Sequence, residues 1–214
     1  MRFAELVELV GDELVFDSSI LLAGDVDAGD VRRQLVRWCT AGRVLQLRRS
    51  VYALAEPFRK ARPHPFVVAN ALQRGSYVSC ESALAFYGLI PEFVATTQSV
   101  AAARPQLWET PLGTYQVRHL RAESLFGFET VELGAGQRAR VATREKALLD
   151  LAHLTAGAER PEYLEGLRLQ GLEEVDVDRL RALAGRWGSP KLRRVAARIA
   201  GLAEQERQEY GVSR

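Results

Sequence analysis

This 214-residue chain contains only two cysteines and only three histidines. His64, His119 and His153 lie far apart without ligand spacing, which argues against a structural zinc site. Cys39 and Cys80 each fall on an apolar face of an expected helix, so both are read as buried free thiols. No run of about 18 apolar residues occurs, which excludes a membrane-spanning helix. The opening MRFAELVELVGDELVF carries acids every few residues, unlike a secretory signal, and a soluble cytoplasmic protein is expected. Phosphate-binding glycine loops, dinucleotide fingerprints, internal repeats and low-complexity tracts are also lacking. No cofactor and no metal is expected.

Hydrophobic residues make up 47% of the chain, enough for one large domain or two small ones. Net charge is only +2, so overall basicity says nothing about a polyanion partner. Its distribution says more. Residues 1–30 hold eight acids and one basic residue, a net of −7, and residues 31–62 hold nine basic residues and one acid, a net of +8. Such asymmetry suits a basic face turned to a polyanion. Salt-bridging between the two halves is the alternative, but arginines at a hairpin tip would have no obvious acidic partner.

Those arginines lie in DAGDVRRQLVRWCTAGRVLQLRRSVYAL, residues 27–54. Val31, Leu35, Trp38 and Cys39 recur at helical spacing and mark an apolar face, with Trp38 as a core anchor. Arg33, Arg37 and Thr40 fall opposite, and Arg32 and Val36 lie toward the edge. Gly42 stops the helix. Val44, Leu45 and Leu47, a turn at Arg48-Arg49-Ser50, and Val51 to Leu54 then read as a hairpin with a basic tip. A helix presenting guanidinium groups can enter a major groove, while a basic loop beside it holds phosphates.

Upstream, residues 3–10 form a helix with Phe3, Leu6, Val7 and Val10 on one side. Asp17-Ser18-Ser19 offers caps for a short second helix through Leu22. Gly24 and Gly29 bracket an acidic turn, and Asp27 or Asp30 caps the third helix. Three helices and a hairpin in this order describe a winged helix-turn-helix over residues 1–57, the third helix being the reading helix. Residues 58–65 form a proline-rich basic linker that either touches phosphate or is solvated.

Residues 66–214 form a larger mixed domain. It opens with a helix from Phe66 to Gln73. A second helix, capped by Ser79, ends at Gly88. Strand-like runs follow at Thr96–Ala102, Thr114–Leu120, Phe128–Leu133 and Arg138–Ala142, punctuated by glycines. Thr143 caps TREKALLDLAHL, whose Ala147, Leu148, Leu151 and Leu154 make an apolar stripe. Three further helices are expected near 161–169, 176–187 and 190–209, the last opened by Ser189-Pro190. Its Lys191, Arg193, Arg194 and Arg198 form either a second basic docking face or solvated surface. Enzyme chemistry finds little support. Glu132, Glu145, Lys146 and Asp150 invite comparison with a nuclease cluster, but a carboxylate at a helix start simply favours the macrodipole.

Several segments together resemble the AbiEi antitoxin family. GRVLQLRRSVYAL is similar to that family's wing. SYVSCESALAFYGLIPE, LGTYQVRHL and FGFETVELGAGQRARVATREKALLDLAHL resemble its C-terminal domain, so the likeness covers most of residues 16–154. The family commonly has glycine at the wing turn where this chain has Ser50, which tolerates a positive backbone angle less readily. The resemblance implies a non-enzymatic type IV antitoxin. Its winged helix would bind double-stranded DNA at inverted repeats in its own promoter and repress its operon. Its C-terminal domain would counter a nucleotidyltransferase-like AbiEii toxin. Carried onto this chain, the DNA-binding residues are Arg32, Arg33, Arg37 and Thr40 on the helix and Arg43, Arg48 and Arg49 on the wing. The alternative is a stand-alone winged-helix regulator whose second domain senses a ligand or another partner. The expected fold is α+β, the winged helix followed by a mixed domain with a helical tail.

Overall fold

A computed structural model describes residues 1–23 and 26–209. The fold is mixed α and β, with eight α-helices and two sheets among the described residues. The chain starts with α1 (Phe3–Val10), which buries Leu6 and Val10. The two-residue strand β1 (Phe16–Asp17) leads into a 3-10 turn over Ser18–Leu22, where the Asp17 carboxylate accepts from the Ser19 amide at 2.9 Å. Helix α2 (Ala28–Thr40) is capped by Asp27, which accepts from the Asp30 amide at 2.7 Å. Gly29, expected in the preceding turn, lies inside the first turn of α2. Gly24 lies outside the described residues.

Strands β2 (Val44–Arg48) and β3 (Val51–Leu54) pair antiparallel, and β1 joins the far side of β3 to give the order β1-β3-β2. Arg48 therefore belongs to the strand, and the turn is Arg49-Ser50. Ser50 adopts φ 68°, the left-handed backbone at which a glycine is more usual.

The second unit is built on a six-stranded mixed sheet of order β6-β7-β5-β4-β9-β8. These strands are β4 (Tyr77–Val78), β5 (Thr96–Ala101), β6 (Gln106–Thr110), β7 (Gly113–His119), β8 (Phe128–Glu132) and β9 (Arg138–Ala142). The β5–β7 and β4–β9 pairs run parallel and the rest antiparallel. Helices α3 (Pro65–Leu72) and α4 (Cys80–Phe86) pack on the sheet, and α5 (Arg144–Leu154) is enclosed beyond them. After α6 (Pro161–Gly166), helices α7 (Val177–Trp187) and α8 (Pro190–Glu209) close over α5. Gly188, at φ 74°, ends α7. The expected helical tail is thus part of the core, with Leu192, Val195, Ile199 and Ala203 all buried.

Each strand of the hairpin alternates its side chains between two cores. Val44, Tyr52 and Leu54 pack with Leu6, Leu35 and Trp38 in the small N-terminal core. Leu47, Val51 and Ala53 pack with Val100, Tyr115 and Val141 in the large one. The hairpin is a wall common to both units, although the sequence suggested a boundary after it. The segment expected as a linker is likewise pinned. Lys60 pairs with Asp12, the His64 amide donates to Gln137 Oε1 at 2.6 Å, and Gln137 Nε2 donates to the Arg62 carbonyl at 3.1 Å.

Candidate nucleic-acid interface

Helix α2 is oriented by its buried side. Val31, Leu35 and Trp38 enter the small core, and Phe3 meets Trp38 edge-on with ring centroids 5.6 Å apart. At 3.6 residues per turn this leaves Arg32, Arg33, Val36, Arg37 and Thr40 facing outward, and all five are exposed. Alongside α2, between the 3-10 turn and the hairpin tip, runs an open groove of about 680 Å³. Arg32, Val36 and Cys39 line it from the helix, and Arg49, Ser50 and Tyr52 from the hairpin.

The expected contact residues do not all share this groove. Arg32 and Arg49 line it from opposite sides. Arg37 and Thr40 lie further round the helix. Arg33 is tied to its own helix start, ion-paired with Asp30 and 4.0 Å from Asp27, which neutralises part of its charge. Arg48 is half-buried and donates to the Arg49 carbonyl at 3.2 Å. It therefore braces the turn. Arg43 sits at the root of the hairpin, about 20 Å along the strand from Arg49 at the tip at 3.3 Å per residue. Its guanidinium lies 5.2 Å from the centroid of the Phe3 ring. Burial holds the Cys39 thiol and the Tyr52 phenol above their ordinary pKa values, so both are neutral walls. Asp17, at the edge of the turn, is held below the usual carboxylate range first by the Ser19 amide, which outweighs the opposing effect of burial, and to a lesser degree by the Ser19 hydroxyl, Arg74 and Arg48.

The basic residues of α8 do not form one patch. Lys191 donates to the Thr155 carbonyl at 2.5 Å, where it caps the end of α5. Arg194 lies 3.8 Å from Glu159. Arg193 is exposed, and Arg198 faces a separate groove against α6. Near the hairpin, Arg59 pairs with Glu56 and Lys60 with Asp12, so two of the linker cations already have acidic partners.

The acid–lysine cluster is elsewhere and closed. Lys146 and Asp150 are both 0% exposed and form an ion pair one helical turn apart. Ser79 Oγ and Tyr77 Oη donate to Asp150 Oδ2 at 2.6 and 3.1 Å. The Lys146 ammonium lies 3.9 Å from the ring centroid of Trp187 and 4.8 Å from that of Phe126. Three donors on the carboxylate and aromatic faces on the ammonium stand in for water around an ion pair. Burial pushes Asp150 up and Lys146 down, and each is pulled back by the other. Ser79, expected to cap α4, gives its hydroxyl to Asp150 instead. Glu145 accepts from the Asp176 amide at 3.0 Å and ties α5 to the start of α7. Glu132, the fourth member suggested by the sequence, lies apart and exposed on β8, where it pairs with Arg138.

Val36 and Tyr52 also line the groove, although neither stands out in the sequence as a contact residue. The signal for Val36 was available: a β-branched residue at the edge of a polar helical face. Among the described residues, no group of three or more histidines, cysteines or carboxylates has the geometry to hold a metal ion, and no helix is long and apolar enough to cross a membrane. Compared with known proteins, the chain matches no protein-family model and no curated protein.

Proposed function

We propose that the protein is a DNA-binding repressor of the AbiEi antitoxin type. In this reading α1, the 3-10 turn, α2 and the β2–β3 hairpin make a winged helix-turn-helix. Helix α2 enters the major groove of an operator in the protein's own promoter, and the hairpin tip holds the flanking phosphates. The observation that carries the reading is the groove along α2, bounded by Arg32 on the helix and Arg49 on the hairpin, with Arg37 exposed beyond it. Guanidinium groups on a helix and on a neighbouring loop suit a double-stranded polyanion. The antitoxin half rests on the resemblance of residues 76–92, 112–120 and 126–154 to the family's C-terminal domain. Its functional partner would be a nucleotidyltransferase-like toxin.

The test is fluorescence anisotropy with duplex DNA from upstream of the protein's own gene, at two salt concentrations and with a scrambled competitor. Tight, specific, salt-sensitive binding is expected. Binding no better than to the scrambled duplex would remove the regulator half. Rescue of cells expressing the toxin from the neighbouring gene tests the antitoxin half separately.

One observation favours the alternative of a ligand-sensing regulator. A groove of about 640 Å³ lies between α6 and α8, lined by Leu164, Leu169 and Leu202 with Arg198 at its edge. That volume is within the range of small-molecule sites. A neighbouring gene that encodes no nucleotidyltransferase, together with a ligand-dependent change in DNA affinity, would favour this alternative.

A further inference from the structure

We infer that Val36 reads the 5-methyl group of a thymine, and so sets one base of the recognised sequence; this rests on the DNA-binding reading above. Val36 is 60% exposed in the middle of α2. Valine is a poor choice for a solvated helix surface, since its branched side chain loses rotamer freedom there. A single exposed apolar residue is ordinary in itself. This one lies in the groove, one helical turn beyond Arg32 and adjacent to Arg37. Cys39 and Leu22, also in the groove wall, extend the same apolar strip.

The base edges in a major groove are almost wholly polar. The thymine methyl is the largest apolar group they present. A valine placed against a cytosine amino group or a guanine carbonyl would strip water from it and return no hydrogen bond. Against a thymine methyl it removes two apolar surfaces from water at once. The side chain therefore favours thymine and disfavours the other bases at the same position. The arginines beside it supply the attraction to the groove.

The test begins with duplexes enriched by the wild-type protein from a random pool. The enriched duplex is then resynthesised with deoxyuridine replacing one thymidine at a time, a change that removes only the methyl. At one position wild-type binding should weaken about fourfold, the equivalent of ~0.8 kcal/mol for one buried methyl group. Val36→Ala should bind the thymidine and deoxyuridine duplexes equally at that position. Alanine is the better helix former and the site is exposed, so the variant keeps its fold. The wild-type arm needs no variant at all. Failure to enrich any sequence would overturn the DNA reading and this inference with it. Enrichment with no thymine whose methyl matters, or with the same methyl dependence in Val36→Ala, would overturn the inference and leave DNA binding standing.

Discussion

Replacing Lys146 by methionine should destabilise the fold by about 3–5 kcal/mol, the cost of stranding one member of a buried ion pair. Methionine has nearly the same length and fills the same space against Trp187 and Phe126, so little packing is lost. What remains is the Asp150 carboxylate, 0% exposed, with only Ser79 and Tyr77 as donors. Domains typically have about 5–15 kcal/mol of stability in total, so the loss should be visible in any equilibrium measurement. Urea denaturation followed by far-ultraviolet circular dichroism gives it directly. The decisive arm is the double variant Lys146→Met with Asp150→Asn. Asparagine can still accept from Ser79 and Tyr77 but bears no charge. It should restore part of the loss, because leaving a buried charge unmet costs more than leaving a buried polar group unmet. A double variant less stable than Lys146→Met alone would show that the carboxylate is not the stranded charge, and would refute the reasoning. So would a Lys146→Met cost below about 1 kcal/mol, the scale of an ordinary net hydrogen bond.

Arg49→Ala should weaken DNA binding evenly across sequences and reduce the salt slope by about one. Arg43→Ala should leave DNA affinity unchanged and instead cost about 0.5–1 kcal/mol in urea denaturation, because its guanidinium is engaged with Phe3. Equal effects of the two on DNA would contradict the placement. Ser50→Gly should raise stability by about 0.5–1 kcal/mol: a left-handed non-glycine residue costs roughly 1–2 kcal/mol, and glycine returns part of that as chain entropy. Thermal denaturation of the two proteins checks it, and an unchanged or lower midpoint would be the contrary result. His64 Nδ1 accepts from the Phe66 amide at 3.1 Å, which only the neutral ring can do, and burial lowers its pKa from 6.5. Its contribution is therefore present above pH 6.5 and is lost as the pH falls through the lower folded value. His153, lowered by burial and by Lys191, adds a slope of the same sign. His64→Asn keeps a cap but does not titrate, so it should flatten part of the decline in stability below pH 6.5; an unchanged slope would count against the assignment.

Strands β5, β7, β8 and β9 of the larger sheet were legible because β-branched residues cluster between glycines. Strand β6 was not. Its QLWET has few apolar residues, as befits an edge strand with one side open. The two-residue strands β1 and β4 are too short for any periodicity. Helix α5 showed its Thr143 cap and its stripe, but its Glu145 read only as a carboxylate favouring the helix macrodipole. Enclosure by α4, α7 and α8 buries every residue from Glu145 to Ala152, and no local pattern encodes the distance of those partners along the chain. The candidate interface divided in the same way. The helical arginines sit on the outward face that their spacing implied. Arg43 and Arg48 looked equivalent to Arg49 in the sequence, yet strand geometry sends one to the root and folds the other back on the turn.

The four residues of β3 bind the histories of the two halves together. Val51 and Ala53 must suit the large sheet, while Tyr52 and Leu54 must suit the helices of the small unit. Recombination that exchanged one half for a relative's would set two of these four side chains against a surface they did not evolve with. In an alignment of relatives, the odd positions should covary with buried residues of the large core, and the even positions with those of the small core. A fragment cut after Leu54 would leave Leu47, Val51 and Ala53 uncovered on a short sheet, an adhesive face where the whole protein has an interior.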